Sequence, residues 1–224
     1  MYLLLTDILA CPRCGPEFGL VLLADRIAER RVMEGRLGCP NCREQYPIHH
    51  GVLDVRTSMD AAAGAESPSP ENAVGDDEAA AVRLAALLGL ADARGTVLIA
   101  GPGAALADAV SALVEEVEVV AFTPDLPVDG EERTGVSRIV GGGRFPFRDR
   151  TLRGVALTGG GDEARLAEAL RVLQPGARVV VEHAAEGTAE RLEALGAQVI
   201  LDQEGTVVAR AVGEPVQLRL NALR

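Results

Sequence analysis

Thr96-Val97-Leu98-Ile99-Ala100-Gly101-Pro102-Gly103 is the segment from which this chain can be read outward. Its first five residues are too few for a helix and too apolar for a half-solvated strand. They predict a strand buried on both faces. Gly101-Pro102-Gly103 forces a turn, and Ala104 to Val114 resumes at helical spacing, with Leu106, Val110, Leu113 and Val114 on one face. A strand, a glycine turn and a helix in this order form the unit that holds nucleotide-like ligands in doubly wound folds. There the glycines let the backbone come close and the helix start offers free N–H groups. Gly101-x-Gly103 alone is equally consistent with a tight turn on any such fold.

The pattern repeats on either side. Upstream, Ala79 to Leu90 is Ala- and Leu-rich and reads as a helix. Downstream, Val117 to Phe122, Val136 to Val140, Gly154 to Leu157 and Arg178 to Glu182 read as four further strands. Asp162 is placed to cap a helix running to Leu173, and Thr188 to Leu195 is another helix. Ala197 to Leu201 and Thr206 to Ala211 close the series as a strand pair. Strands alternating with helices predict a mostly parallel sheet covered on both faces, a Rossmann-like α/β domain spanning 79–224.

Before it, residues 57–78 (TSMDAAAGAESPSPENAVGDDE) are Ala, Ser, Pro, Gly and acid without apolar period, and read as a flexible linker. Residues 1–56 hold all four cysteines, as Cys11-Pro-Arg-Cys14 and Cys39-Pro-Asn-Cys42, two C-x-x-C pairs separated by 24 residues. Two such turns aim four thiolates at one point, the closed tetrahedron of structural zinc. A redox motif would need one pair and usually opens a helix after a strand. Leu20 to Leu23, Arg31 to Leu37 and Gly51 to Val55 read as the strands of a zinc ribbon. His49 and His50 read as turn residues, since the cysteines already complete the set. So small a unit cannot bury a self-sufficient core, and the metal must supply much of its folding free energy.

Composition narrows the function. Of 224 residues, 22 are basic and all are Arg, which excludes Schiff-base and P-loop lysine chemistry. A net charge of −11 argues against direct nucleic-acid binding and against anionic membranes. No apolar run is long enough to span a bilayer. Met1 to Ala10 has no basic n-region and makes a poor secretory signal, so a cytoplasmic location with reduced cysteines is expected. Arg138, Arg144, Arg148, Arg150 and Arg153 are either a local anion or RNA contact or a solvated loop paired to nearby acids. His183, after the fifth strand, is either a general base or a structural residue.

Two resemblances join these halves. Leu5-Thr6-Asp7-Ile8-Leu9-Ala10-Cys11-Pro12, Leu37-Gly38-Cys39-Pro40-Asn41-Cys42, Tyr46-Pro47-Ile48 and Gly51-Val52 resemble the zinc-ribbon activator subunits of tRNA, rRNA and protein methyltransferases. That resemblance covers 1–56. It implies a ribbon without chemistry of its own, which adds strand edge and apolar surface to a methyltransferase partner. Val97 to Gly103 resembles the first motif of class I S-adenosylmethionine-dependent methyltransferases. Phe145-Pro146-Phe147-Arg148-Asp149-Arg150-Thr151-Leu152 resembles the segment before their fourth strand, and Leu170 to Val181 their helix, Pro-Gly turn and fifth strand.

The departures from that second family bear on function. Ile99 stands where an acid precedes the first glycine, and Ala105 takes the third small position. The resemblance implies Gly101 and Gly103 under the methyl donor and an acid for its ribose, but Thr123 occupies that place and Asp125 comes two residues late, after Pro124. Each charge-assisted bond so lost costs roughly 1.5–3 kcal/mol. Leu157-Thr158-Gly159-Gly160-Gly161 offers no acid, amide or aromatic to a methyl acceptor. The leading expectation is a zinc-binding, methyltransferase-like pseudoenzyme: a scaffold or regulatory subunit working with another protein chain or as a homo-oligomer. The alternative is an active S-adenosylmethionine-dependent methyltransferase with its ribbon activator in the same chain. A third reading, a zinc-ribbon nucleic-acid binder, runs against the charge.

Overall fold

A computed structural model describes residues 1–56, 77–124 and 135–213. Most of the segment read as a linker, and Asp125, lie outside the described residues. The N-terminal part contributes six strands: β1 (Ala10–Cys11), β2 (Gly15–Gly19), β3 (Val21–Ala28), β4 (Arg31–Gly38), β5 (Gln45–His49) and β6 (Val52–Asp54). The C-terminal part runs α1 (Asp77–Leu88), β7 (Gly95–Ala100), α2 (Ala107–Leu113), β8 (Val117–Thr123) and β9 (Ser137–Val140). It continues with β10 (Leu152–Thr158), α3 (Glu163–Val172), β11 (Leu173–Glu182), α4 (Thr188–Ala194), β12 (Ala197–Gln203) and β13 (Thr206–Ala211).

The strands from β7 onward lie in the order β12-β13-β11-β10-β7-β8-β9, the sixth, seventh, fifth, fourth, first, second and third of their region. All neighbours from β9 to β11 are parallel, and β13 enters antiparallel between β11 and β12. This is the doubly wound, Rossmann-like and methyltransferase-like arrangement, with the order reversing between β7 and β10. Strand period two divides the core. Val97, Ile99, Val119, Ala121, Ala156 and Val180 face Leu84 and Leu88 of α1 and Val110 of α2. Leu98, Val120, Phe122, Val155, Leu157, Val179 and Val181 face Leu166 and Val172 of α3 and Leu192 of α4.

Asp162 caps α3, its carboxylate accepting from the Arg165 backbone N–H at 2.7 Å. The helix after the glycine turn departs from expectation. Pro102–Leu106 is a tighter 3-10 turn, and only Ala107–Leu113 is α-helical. Its shorter period rotates the apolar face, so Ala107 and Val110 are buried while Leu113 is 45% exposed.

The ribbon continues this sheet. Order β9-β6-β5-β4-β3 extends it to eleven strands. β6 runs parallel to β9, with Val52, Leu53 and Asp54 opposite Arg138, Ile139 and Val140. A second seam joins the halves: Ala10 N–H donates to Pro146 O (3.0 Å) and Arg148 N–H to Ile8 O (2.9 Å). Between the seams Leu5, Leu9, Leu37, Ile48, Leu53, Phe145 and Phe147 are buried in one core with the α3 face of the sheet. Tyr46-Pro47-Ile48 belongs to a strand, β5. Pro47 is tolerated there because β6 pairs only with Ile48 and His49.

Candidate functional site

Cys11 ends β1, Cys39 follows β4, and Cys14 and Cys42 sit in the turns beyond them. Their sulfurs lie within 4.8 Å of one another, with Cys11–Cys42 at 3.7 Å and Cys14–Cys39 at 3.8 Å. A tetrahedral zinc with bonds of about 2.3 Å requires sulfurs about 3.8 Å apart. All four thiols are free of disulfides. Cys14 N–H and Asn41 Nδ2 point at the Sγ atoms of Cys11 and Cys14 at 3.4 and 3.3 Å, and Tyr46 Oη lies 3.3 Å from Cys11. Burial pushes the Cys39 thiol up, but the backbone N–H groups of Cys42 and Asn41 outweigh it and bring it down to about 7. The donor set therefore fits a closed, thiolate-bound metal with no open position. Among the described residues no other cluster of His, Cys, Asp and Glu has ligand spacing. His49 and His50 turn to Glu34 instead, which accepts from His50 N–H at 3.0 Å and lies 3.1 Å from His49 Nδ1.

The second site is the C-terminal edge of the parallel strands. Gly101, Gly103 and Thr123 meet there: Gly101 N–H donates to Phe122 O at 3.1 Å, and Gly141 N–H to Thr123 O at 3.0 Å. What covers the glycines is Thr158, at the end of β10. Its hydroxyl accepts from Gly103 N–H at 2.6 Å and donates to Ala100 O at 2.9 Å. A Cβ on Gly101 would lie 2.2 Å from Thr158 O, and one on Gly103 2.4 Å from Thr158 Cγ2. Close approach of a neighbouring strand thus accounts for both glycines. The Gly103 N–H, a donor such a loop would turn to a ligand, is taken within the chain. Ile99 is fully buried against the α1 face.

Beside it, Arg165 in the first turn of α3 reaches across the edge and donates to Gly143 O (2.9 Å) and Gly142 O (2.6 Å). Its guanidinium carbon lies 4.9 Å from the Phe145 ring centre and 5.8 Å from that of Phe122. The two rings meet edge to face at 5.2 Å. Burial pushes the Arg165 pKa down, with Asp162 and Glu168 acting against it. Sequence reasoning missed both Thr158 and Arg165. A threonine ending a buried strand just before three glycines was the available signal for the first.

The other candidates scatter. Arg138 is buried on β9 and bonds Asp108 at 2.5 Å, while Arg144 lies 3.6 Å from Glu168. Arg148 packs over Gly19 of the ribbon and Arg153 beside Gly95. Arg150 lines a cavity of about 340 Å³ below α3, far along the strands from the glycine turn. Glu182 is buried and ion-paired with Arg83 of α1. His183 is exposed in a left-handed turn at φ +54°.

The family model described as Trm112p-like protein matches residues 3–51. No curated protein matches the chain. Among solved structures, one is a complex containing the Haloferax volcanii Trm112 methyltransferase activator, at 17% identity over 71% of this chain and 100% of that one, with a TM-score of 0.44. Precorrin-6y C5,15-methyltransferase from Geobacter metallireducens matches at 18% identity over 59% and 86%, TM-score 0.44. A SAM-dependent methyltransferase from Thermotoga maritima matches at 13% over 62% and 91%, TM-score 0.43. No helix of the described residues is long and apolar enough to cross a membrane.

Proposed function

We propose that this chain is a methyltransferase-like scaffold or regulatory subunit whose structural zinc ribbon, in the manner of the Trm112p-like proteins, supports its own α/β domain. Cys11, Cys14, Cys39 and Cys42 hold the zinc, which supplies folding free energy and no catalysis. The observation that carries the scaffold reading is Thr158, which takes the Gly103 N–H and fills the space above Gly101 and Gly103. Thr123 at the ribose position and Ile99 at the acid position point the same way. Its partner is another protein chain or a second copy, since such a subunit acts through what it binds.

One observation favours the alternative, an active methyltransferase: the ribbon pairs through β6 with β9 of its own sheet, as an activator in cis would. Titration of S-adenosylmethionine and S-adenosylhomocysteine into zinc-loaded protein decides between them. The scaffold reading expects no heat of binding at millimolar ligand. A micromolar Kd overturns it and makes Gly101→Val and Asp125→Ala the next variants. The zinc assignment expects one zinc per chain, lost in Cys39→Ser.

A further inference from the structure

The edge of the sheet opposite the glycine turn carries the cavity of about 340 Å³ that Arg150 lines. It lies where β10, β11 and β12 begin and β13 ends, beside α3 and the end of α4. Its apolar wall is partly open to water. Leu170 is half-buried, Pro175 is exposed, and Leu195 and Val212 are 37% and 68% exposed. Two of its charged residues are spent on each other: Arg171 donates to Asp149 at 2.8 Å, and also to Glu168 and the carbonyls of Phe145 and Phe147. The third, Arg150, has no side-chain hydrogen bond or ion pair among the described residues. The chain itself leads into this place. Val212 and Gly213 are the last described residues and both line the cavity, and a Cβ on Gly213 would lie 2.9 Å from Pro175 Cγ. Residues 214–224 (EPVQLRLNALR) lie outside the described residues. In them Val216, Leu218 and Leu220 alternate with Gln217, Arg219 and Asn221, the spacing that turns apolar groups to a surface and polar groups away from it.

We propose that this cavity is the seat of the chain's own residues 214–220, with Val216, Leu218 and Leu220 on its apolar wall and the Glu214 carboxylate accepting from the Arg150 guanidinium. Place, charge and polarity select this occupant. The segment begins at the rim, because Glu214 follows the lining residue Gly213 directly. Seven residues reach at most about 23–25 Å when extended, enough to cross the cavity from that rim. Attachment at one end supplies an effective concentration of order millimolar, so a contact too weak for a separate peptide suffices. The wall's unpartnered cation meets the segment's first residue, an anion. The apolar side chains cover Leu195 and Val212, which otherwise leave carbon surface in water. Seated there, the segment ties α3 and α4 to the end of β13. The inference goes beyond the scaffold reading and holds equally for an active enzyme, since the cofactor edge lies at the other end of the strands.

The test reads amide hydrogen exchange in zinc-loaded full-length protein, with calorimetric melting to confirm that each variant folds. In wild type the amides of residues 216–220 should exchange at least about tenfold more slowly than in a free peptide of residues 214–224. Leu195→Asp puts a charge on the wall and should abolish that protection. Val212→Asp, at a side chain already mostly in solvent, makes the same test where Leu195→Asp fails to fold. Leu218→Asp/Leu220→Asp should abolish it from the segment's side. An exposed ion pair shifts such an equilibrium only slightly, so Arg150→Glu and Glu214→Arg should each speed exchange about two- to fivefold. Arg150→Glu/Glu214→Arg should restore the wild-type rate. Exchange at the free-peptide rate in wild type overturns the proposal. So does protection that persists in folded Leu195→Asp or Val212→Asp, which would put the segment elsewhere. Protection that disappears on about hundredfold dilution overturns the own-chain occupant in favour of a second copy. A double charge swap that restores nothing overturns the Arg150 contact. The scaffold reading fails separately, through wild-type binding of S-adenosylmethionine, whatever these variants do.

Discussion

The ribbon and the α/β part use the same secondary structure under opposite conditions. In the α/β part, β10 is buried along nearly its whole length and its residues pack on helices to both sides. In the ribbon, β3 is exposed at almost every position, with Val21, Leu23 and Ile27 all about half in solvent or more. One sheet therefore runs from a region that its own side chains hold to one that they do not. The ribbon borrows stability twice, from its metal centre at one end and from the β9 edge and Phe145-Pro146-Phe147 at the other.

The sharpest way to break this contrast is at the metal. Cys39→Ser, or stripping with a chelator, should remove a term that in small zinc domains reaches roughly 10–16 kcal/mol. Circular dichroism and calorimetric melting should show loss of the ribbon strands and a lowered transition for the rest. A second domain that melts unchanged would mean the seams carry no coupling. Next in size is the shared core. Phe147→Ala empties a fully buried site between the halves and should cost about 3–5 kcal/mol, read from urea unfolding. An effect below about 1 kcal/mol would make the interface a loose contact.

The polar seam ranks third. Arg31 of β4 lies 3.4 Å from Glu118 of β8, with both side chains only about 15% exposed, and Ser137 Oγ donates to Glu118 at 2.5 Å. Glu118→Ala leaves Arg31 without its carboxylate and should cost about 1–3 kcal/mol. The same loss in Arg31→Ala/Glu118→Ala as in either single variant would confirm a pairwise interaction. The smallest effect is on pH. The His50 backbone N–H, with His49 and His50 themselves, holds the Glu34 carboxyl below its ordinary value of 4.5. A depressed carboxylate stabilises the fold above that value, and the contribution disappears as pH falls through the folded-state value. Arg26 lies 3.9 Å from the same carboxylate. The ribbon should therefore lose stability on acidification below about pH 4.5, and Glu34→Gln should flatten that limb of a stability–pH curve. An unchanged acid limb in the variant would show that Glu34 is not its source.

Local signals were legible in the sequence. Continuous apolar runs marked β7, β8, β10 and β11, and Asp162 announced α3. The cysteine spacing gave the metal cluster, because four thiols in two matched turns leave few geometries. The relation between halves was not legible. Leu53 in β6 and Ile139 in β9 are 86 positions apart, and no periodicity encodes which strand edge a short strand will join. Phe145-Pro146-Phe147 read as the approach to the next strand, whereas its backbone also receives the ribbon. The helix after Gly103 was misphased because 3-10 and α turns share the same composition. Thr158 and Arg165 escaped because each acts across the sheet: Thr158 reaches residues 55 and 58 positions away, and Arg165 one more than 20 away.

The β6–β9 ladder has one more consequence. A support supplied by a separate chain is rationed by mass action: it is shared among whatever sheets compete for it and lost on dilution. Here supporter and supported are synthesised together, so their stoichiometry is fixed at one to one and does not depend on protein concentration. Covalent linkage also makes the encounter intramolecular, with an effective concentration of order millimolar. The three facing residues on β6 are one part of the join, beside the Ala10–Pro146 seam and the core around Phe147. Between two ends of one chain the ladder covers the β9 edge, which would otherwise be open to outside strands.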